Sequence, residues 1–85
     1  MTDIEQILKS EVEKYIDNSP YKNDKTIGGL SNRLKYVSEN VNEVTENVNR
    51  LANEYLEKNP NIDAKELIEI AKNLIQRFLA SPVNG

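Results

Sequence analysis

The sequence predicts an all-α fold: three helices, with a long central heptad-patterned helix, assembled as a coiled-coil or helical-bundle oligomer. Two observations support this. Apolar residues recur at alternating spacings of three and four through the middle of the chain, and prolines with asparagines interrupt the pattern on either side. We predict a single domain at 1–85 with helices at about 2–17, 30–58 and 63–80, a connector at 18–29 and a frayed tail at 81–85.

The first helix is predicted from its cap and its apolar face. Thr2 and Glu5 have the spacing of a capping box, in which each side chain satisfies a backbone amide near the other. The apolar residues that share one face at helical spacing are Ile4, Ile7, Leu8, Val12, Tyr15 and Ile16. The Asn-Ser-Pro sequence at 18–20 ends the helix, because a residue before proline avoids the α conformation.

The central helix carries an apolar seam that we predict to be the oligomer contact. This seam consists of Leu30, Leu34, Val37, Val41, Val44, Val48, Leu51 and Tyr55, with Ile27 one heptad before Leu34. The residues flanking its middle, such as Ser38 and Thr45, are uncharged and mostly small, which favours a bundle of three or more helices over a two-stranded rod. Asp24 and Thr26 are candidate caps. Gly28 and Gly29 each cost about 1 kcal/mol inside a helix, which favours a start at Leu30.

The third helix begins after the Asn-Pro-Asn break at 59–61. Asp63 is its predicted cap, and Ile62 with Leu67 has the spacing of a hydrophobic staple. The predicted buried stripe is Leu67, Ile70, Ala71, Leu74, Ile75 and Phe78, widened by Ile68 and Leu79. We expect the helix to end near Ala80, before Ser-Pro at 81–82, and to cover about half of the central helix. The first helix or another subunit would then cover the remainder.

Composition narrows the classes of function. The chain has no cysteine and no histidine, which leaves no disulfide, no thiolate metal site and no imidazole base. Glu39, Glu43 and Glu46 share one side of the central helix, and we interpret them as a solvated face rather than a cation site. We therefore assign no catalytic, cofactor-binding or metal-binding residue and predict that the chain is not an enzyme. A net charge of −3 gives no electrostatic reason for nucleic-acid binding, and no segment suggests a secretory signal or a membrane span, so we expect a cytoplasmic protein.

One alternative is a DNA-binding regulator. Residues 26–34 together with Val37, Ser38 and Val41 resemble the start of a helix-turn-helix motif, which implies a small transcriptional regulator. Two features depart from that motif. The turn after Leu34 lacks glycine and is one residue longer than usual. The would-be recognition helix carries Glu39, Glu43 and Glu46, which would face phosphates unfavourably.

The function that we predict is protein binding without catalysis. We expect an assembly module that self-associates, as a dimer or higher bundle, through the central helix and acts as a small adaptor or inhibitor of a larger protein. Residues 21–36 hold four basic side chains against one acidic side chain, Asp24, although the whole chain is acidic. The candidate partner patch in this segment is Tyr21, Lys22, Lys25, Arg33, Lys35 and Tyr36, since tyrosine and arginine are enriched at binding hot spots. For Tyr36, packing under the first helix is the interpretation that we favour.

Overall fold

A computed structural model describes residues 3–84 of the chain. Within that range it consists of three helices, α1 (Asp3–Asp17), α2 (Ile27–Lys58) and α3 (Ala64–Asn84), which confirms the all-α class. Each helix packs against the other two, in a bundle that measures 47 × 21 × 17 Å. Both α1 and α3 run antiparallel to α2. None of the helices in this described part has the length and apolarity needed to cross a membrane.

The core is formed by residues that recur every three or four positions on each helix, so that one stripe of each faces inward. It comprises Ile4, Leu8 and Val12 from α1, then Val37, Val44, Val48 and Ala52 from α2, and Leu67, Ala71, Leu74 and Phe78 from α3. No polar or charged side chain among residues 3–83 is buried with them. The predicted stripes of α1 and α3 are thus confirmed at their centres.

The start of α2 differs from the prediction of Leu30. The helix begins at Ile27, and Thr26 caps it by accepting a 3.0 Å hydrogen bond from the Gly29 backbone N–H. Gly29 is buried beneath the connector, where an added Cβ would lie 2.4 Å from Asp24 Cγ and 2.5 Å from its carbonyl oxygen. The connector can cross the helix this closely only over a glycine, and this close packing offsets the low helix propensity that favoured a later start.

The end of α3 also differs from the prediction of Ala80. The helix continues to Asn84 through a buried Pro82, so residues 81–84 are helical rather than a frayed tail. Proline has no N–H to donate to the carbonyl four residues earlier, here that of Phe78. The Ser81 hydroxyl donates to this carbonyl instead, at 2.7 Å, which removes part of the cost of the proline. Gly85 lies outside the described residues, as does the Thr2 cap predicted for α1.

The two shorter helices cover the same length of α2 rather than dividing it. Leu56 near the end of α2 faces Ala64 across a groove, and the long Arg33 side chain near its start reaches Pro82, so the 21 residues of α3 lie beside about two-thirds of the 32 residues of α2. α1 lies beside the same stretch, with Ile4 near Tyr55. The predicted α3 cap is confirmed, because an Asp63 carboxylate oxygen accepts from the Lys65 backbone N–H at 3.0 Å.

Candidate binding surfaces

The predicted seam of α2 is covered unevenly within the chain. Val37, Val44 and Val48 are buried against α1 and α3, and the seam residues Leu30, Val41, Leu51 and Tyr55 are partly buried. Towards the start of α2, the seam is no longer covered by α1 and α3, since Leu34 is 49% exposed and Ile27 is 89% exposed. The buried positions are occupied by contacts within one chain, and the open part of the seam lies at the start of α2.

The helix-turn-helix alternative requires a turn at residues 35 and 36. Both residues lie in the interior of the continuous helix α2. The recognition helix that would follow such a turn is therefore the same helix as the one before it, and the motif assignment for residues 26–41 is wrong.

Arg33 of the predicted partner patch is a structural residue. Its guanidinium donates to the backbone carbonyl of Asp24 and, at 3.5 Å, to that of Tyr21 in the connector. The same group donates twice, at 3.3 Å, to the carbonyl of Pro82 at the end of α3. Arg33 thereby fastens the connector to the last turn of α3, and its donors are directed at backbone carbonyls within the chain. The Arg33 charge also contributes, after the hydrogen bonds from Thr26, to lowering the pKa of Asp24.

Lys22, Lys35 and Tyr36 of the patch do not form one surface. Tyr36 packs under α1, as predicted, and its hydroxyl donates to the Tyr15 carbonyl at 2.6 Å. Lys22 forms an ion pair with Asp17 at 3.1 Å. Lys35 is exposed. Because it precedes the groove residue Asn49 by two heptads, it lies on the same side of α2, which is turned towards α3. The structure therefore separates Lys35 from Tyr36, although the two are adjacent in sequence.

A polar cluster joins α1 to α2. The Tyr15 hydroxyl donates to the Glu43 carboxylate, and the Asn47 amide donates to the Tyr15 oxygen at 2.9 Å and to Glu11 at 3.1 Å. The bond to Glu43, together with burial, raises the pKa of Tyr15 to about 12. The edge of the Tyr15 ring meets Phe78 of α3, with centroids 6.4 Å apart. Sequence spacing placed Glu43 on a solvated face and did not reveal this contact.

The largest cavity volume among the described grooves lies between α2 and α3, on the side opposite α1. This α2–α3 groove holds about 510 Å³. Its α2 wall consists of Thr45, Asn49, Ala52, Asn53 and Leu56, and its α3 wall includes Ile68, Ala71, Lys72, Ile75 and Gln76. The walls are built from uncharged residues except for Lys72.

Exposed apolar side chains extend the groove along the whole molecule. Seven large apolar side chains are exposed among residues 3–83, and five of them fall on this side: Ile27, Leu34, Ile68, Leu79 and Val83. Leu34 precedes groove residue Thr45 by eleven residues, or three helical turns, and Leu79 follows groove residue Ile75 by four. Ile68 is 65% exposed and Leu79 is 48% exposed, so the prediction that they widen the buried stripe of α3 is wrong. We call the groove together with these five residues the α2–α3 face.

Lys72 is the charged residue of the groove, and it forms no ion pair with a carboxylate among the described residues. It shares this property with Lys35, Arg50, Lys58 and Lys65. Among residues 3–84, no three His, Cys, Asp or Glu side chains come together to hold a metal ion. No protein-family model, no curated protein and no solved structure matches the chain.

Proposed function

We propose that the chain is a non-enzymatic protein-binding module that binds helical segments of its partner on the α2–α3 face. In this role it acts as a small adaptor or inhibitor of a larger assembly. The observation that carries the proposal is the placement of five of the seven exposed large apolar side chains on that one face. Contiguous exposed apolar surface on a small protein marks an interaction site, because leaving it in water costs free energy.

The shape of the face favours a helix as the bound element. Two antiparallel helices leave a groove between them, and the apolar ridge of another helix packs into such a groove. Ala52 and Ala71 at the groove walls carry the smallest apolar side chains, which permits a close approach of the incoming backbone. On the α2 wall, Thr45 and Asn49 are polar but uncharged, so covering them costs less free energy than removing an ionised side chain from water.

The proposal is tested by photo-crosslinking inside cells that produce the chain. A photoreactive amino acid replaces Ile68 on the α2–α3 face and, as a matched control, Ile7 on the side of α1 that faces the end of α2. Both positions carry an exposed isoleucine, and each is the fifth residue of its helix. We expect protein adducts at position 68 and at least about ten-fold fewer at position 7. Equal yields at the two positions would contradict the proposal.

A further inference from the structure

We infer that the α2–α3 face binds a second copy of this chain, with the two-fold axis parallel to the helices, so that α3 of each copy lies on α2 of the other. This inference rests on the proposed function and names the partner of the same face. The resulting dimer has a core of four helices, α2 and α3 from each copy, with the two α1 helices on the outside.

The size of the face fits a second copy. From Ile27 to Leu56 the face follows α2 for about 45 Å at 1.5 Å per residue, and a packed helix pair is about 18 Å wide. α3 follows the face for only about 31 Å, so the face covers about 700 Å² per copy, or about 1,400 Å² in total, which lies within the usual range of a stable protein–protein interface. A single partner helix would cover only half of this width, whereas a second copy presents a face of equal length and width.

The register of the two helices decides which residues meet. α2 and α3 run antiparallel, with Arg33 bonded to Pro82 near one end and Leu56 opposite Ala64 at the other. Counted from the facing residues Leu56 and Ala64 at equal rise per residue, Lys72 is level with about residue 48 of α2, within one helical turn of Glu46. A two-fold axis parallel to the helices keeps every level unchanged, so α3 of one copy meets α2 of the second copy at the same level.

Charge complementarity follows from this register. Lys72, the charged residue of the groove that pairs with no carboxylate among the described residues, lies within one helical turn of Glu46 of the second copy, a distance that the two side chains span. At the open end of the seam, Leu34 lies within one helical turn of Val83, so two exposed apolar residues cover one another. The face thus supplies both halves of each contact, as an interface with two-fold symmetry requires.

The other two-fold arrangement does not satisfy Lys72. An axis perpendicular to the helices would place α3 against α3, and Lys72 lies two residues from the midpoint of that helix. The Lys72 side chains of the two copies would then approach within about 6 Å along the helix axis, like charges together. Compared with a perpendicular axis through the midpoint of α3, the parallel axis is therefore the arrangement that Lys72 favours.

The dimer is tested by sedimentation equilibrium of the full chain between about 1 µM and 100 µM. The mass should rise to twice the 9.7 kDa of one chain. Ile68→Glu should raise the dimer dissociation constant at least ten-fold, whereas the control Ile7→Glu should leave it unchanged within about three-fold. Helical circular dichroism of both variants verifies that the bundle is still folded. A monomeric mass for the unaltered chain at 100 µM overturns the inference.

Charge exchange tests the orientation of the axis. Lys72→Glu alone and Glu46→Lys alone should each weaken the dimer about ten-fold, because each places like charges opposite one another. The double variant restores the pair with its signs exchanged, and its dissociation constant should return to within about three-fold of the original. A double variant as weak as either single variant overturns the parallel arrangement.

These experiments separate the inference from the proposed function. If the chain stays monomeric while position 68 crosslinks to a different protein, the face is a binding surface and its partner is not a second copy. If the chain stays monomeric and position 68 crosslinks to nothing above the level at position 7, both proposals fall.

Discussion

Gly28 and Gly29 are adjacent in the first turn of α2, and their alanine variants should change the free energy of unfolding in opposite directions. Gly28→Ala should stabilise the fold and Gly29→Ala should destabilise it. At Gly28 a new Cβ would lie 3.7 Å from the Thr26 hydroxyl, an ordinary contact. Alanine also reduces the freedom of the unfolded chain, so Gly28→Ala should stabilise the fold by about 0.5 kcal/mol. At Gly29 the new Cβ would lie 2.5 Å from the backbone oxygen of Asp24.

The connector above Gly29 cannot yield without losing other contacts. Asp24 accepts hydrogen bonds from the Thr26 backbone N–H at 3.0 Å and from its hydroxyl at 2.7 Å, and its carbonyl accepts from Arg33. Moving this segment by about 1 Å to make room should cost about 2 kcal/mol, as overpacking does elsewhere. The two variants should therefore differ by about 2.5 kcal/mol in the free energy of unfolding. Urea denaturation followed by circular dichroism measures this difference.

The glycine pair tests where α2 begins. If the helix began at Leu30, both glycines would lie in the connector and no close contact with Asp24 would be expected at either. Alanine variants that stabilise equally, or that are both neutral, would refute the helix start at Ile27.

Three further predictions concern the bundle. Val44→Asp should destabilise the fold by about 3–5 kcal/mol, because it places an unpaired charge in the core. The exposed control Glu39→Ala should change stability by less than about 0.5 kcal/mol. Equal melting temperatures of the two variants would contradict the assigned core. Ser81→Ala should cost about 1 kcal/mol by removing the donor to the Phe78 carbonyl, and a neutral result in urea denaturation would show that the hydroxyl is dispensable. The pKa of Tyr15 is raised to about 12 in the folded chain, so as the pH rises above 10 the unfolded chain loses the tyrosine proton first, and the free energy of unfolding falls between pH 10 and 12. Tyr15→Phe should make this fall less steep. An unchanged slope of stability against pH would contradict the contact with Glu43.

The helices could be predicted from sequence because their causes are local. Ile4, Leu8 and Val12 recur every four residues, and a helix is the structure that brings such residues to one face, where they are buried. The Asp63 cap likewise depends on its immediate neighbours. The ends of α2 and α3 could not be predicted in the same way. They depend on contacts between distant parts of the chain. The start of α2 depends on how the connector packs over Gly29, and the end of α3 depends on the burial of Pro82 and on its contact with Arg33.

The candidate site was only partly predictable for a related reason. Heptad spacing indicates that a residue faces some neighbour, but it does not tell whether that neighbour is α1, α3 or another chain. Val44 and Leu34 both belong to the predicted seam, yet the first is fully buried and the second is half exposed. Ile68 was expected in the core because it is apolar and next to Leu67, but the helix turns it towards a groove that this chain leaves open.

The claim that the α2–α3 face is covered in the working protein can be tested through a single thiol. The chain has no cysteine, so Ile68→Cys provides one thiol on the face and Ile7→Cys provides a matched thiol away from it. The rate of maleimide labelling is measured inside producing cells and for the purified protein at about 1 µM.

The ratio of the labelling rates at positions 68 and 7 is the deciding quantity, because it cancels differences in reagent uptake. We predict that this ratio is at least about ten-fold lower in cells than in the dilute protein, since a bound partner shields position 68. An equal ratio in the two conditions would show that the face stays open in the cell and would contradict its assignment as the binding surface.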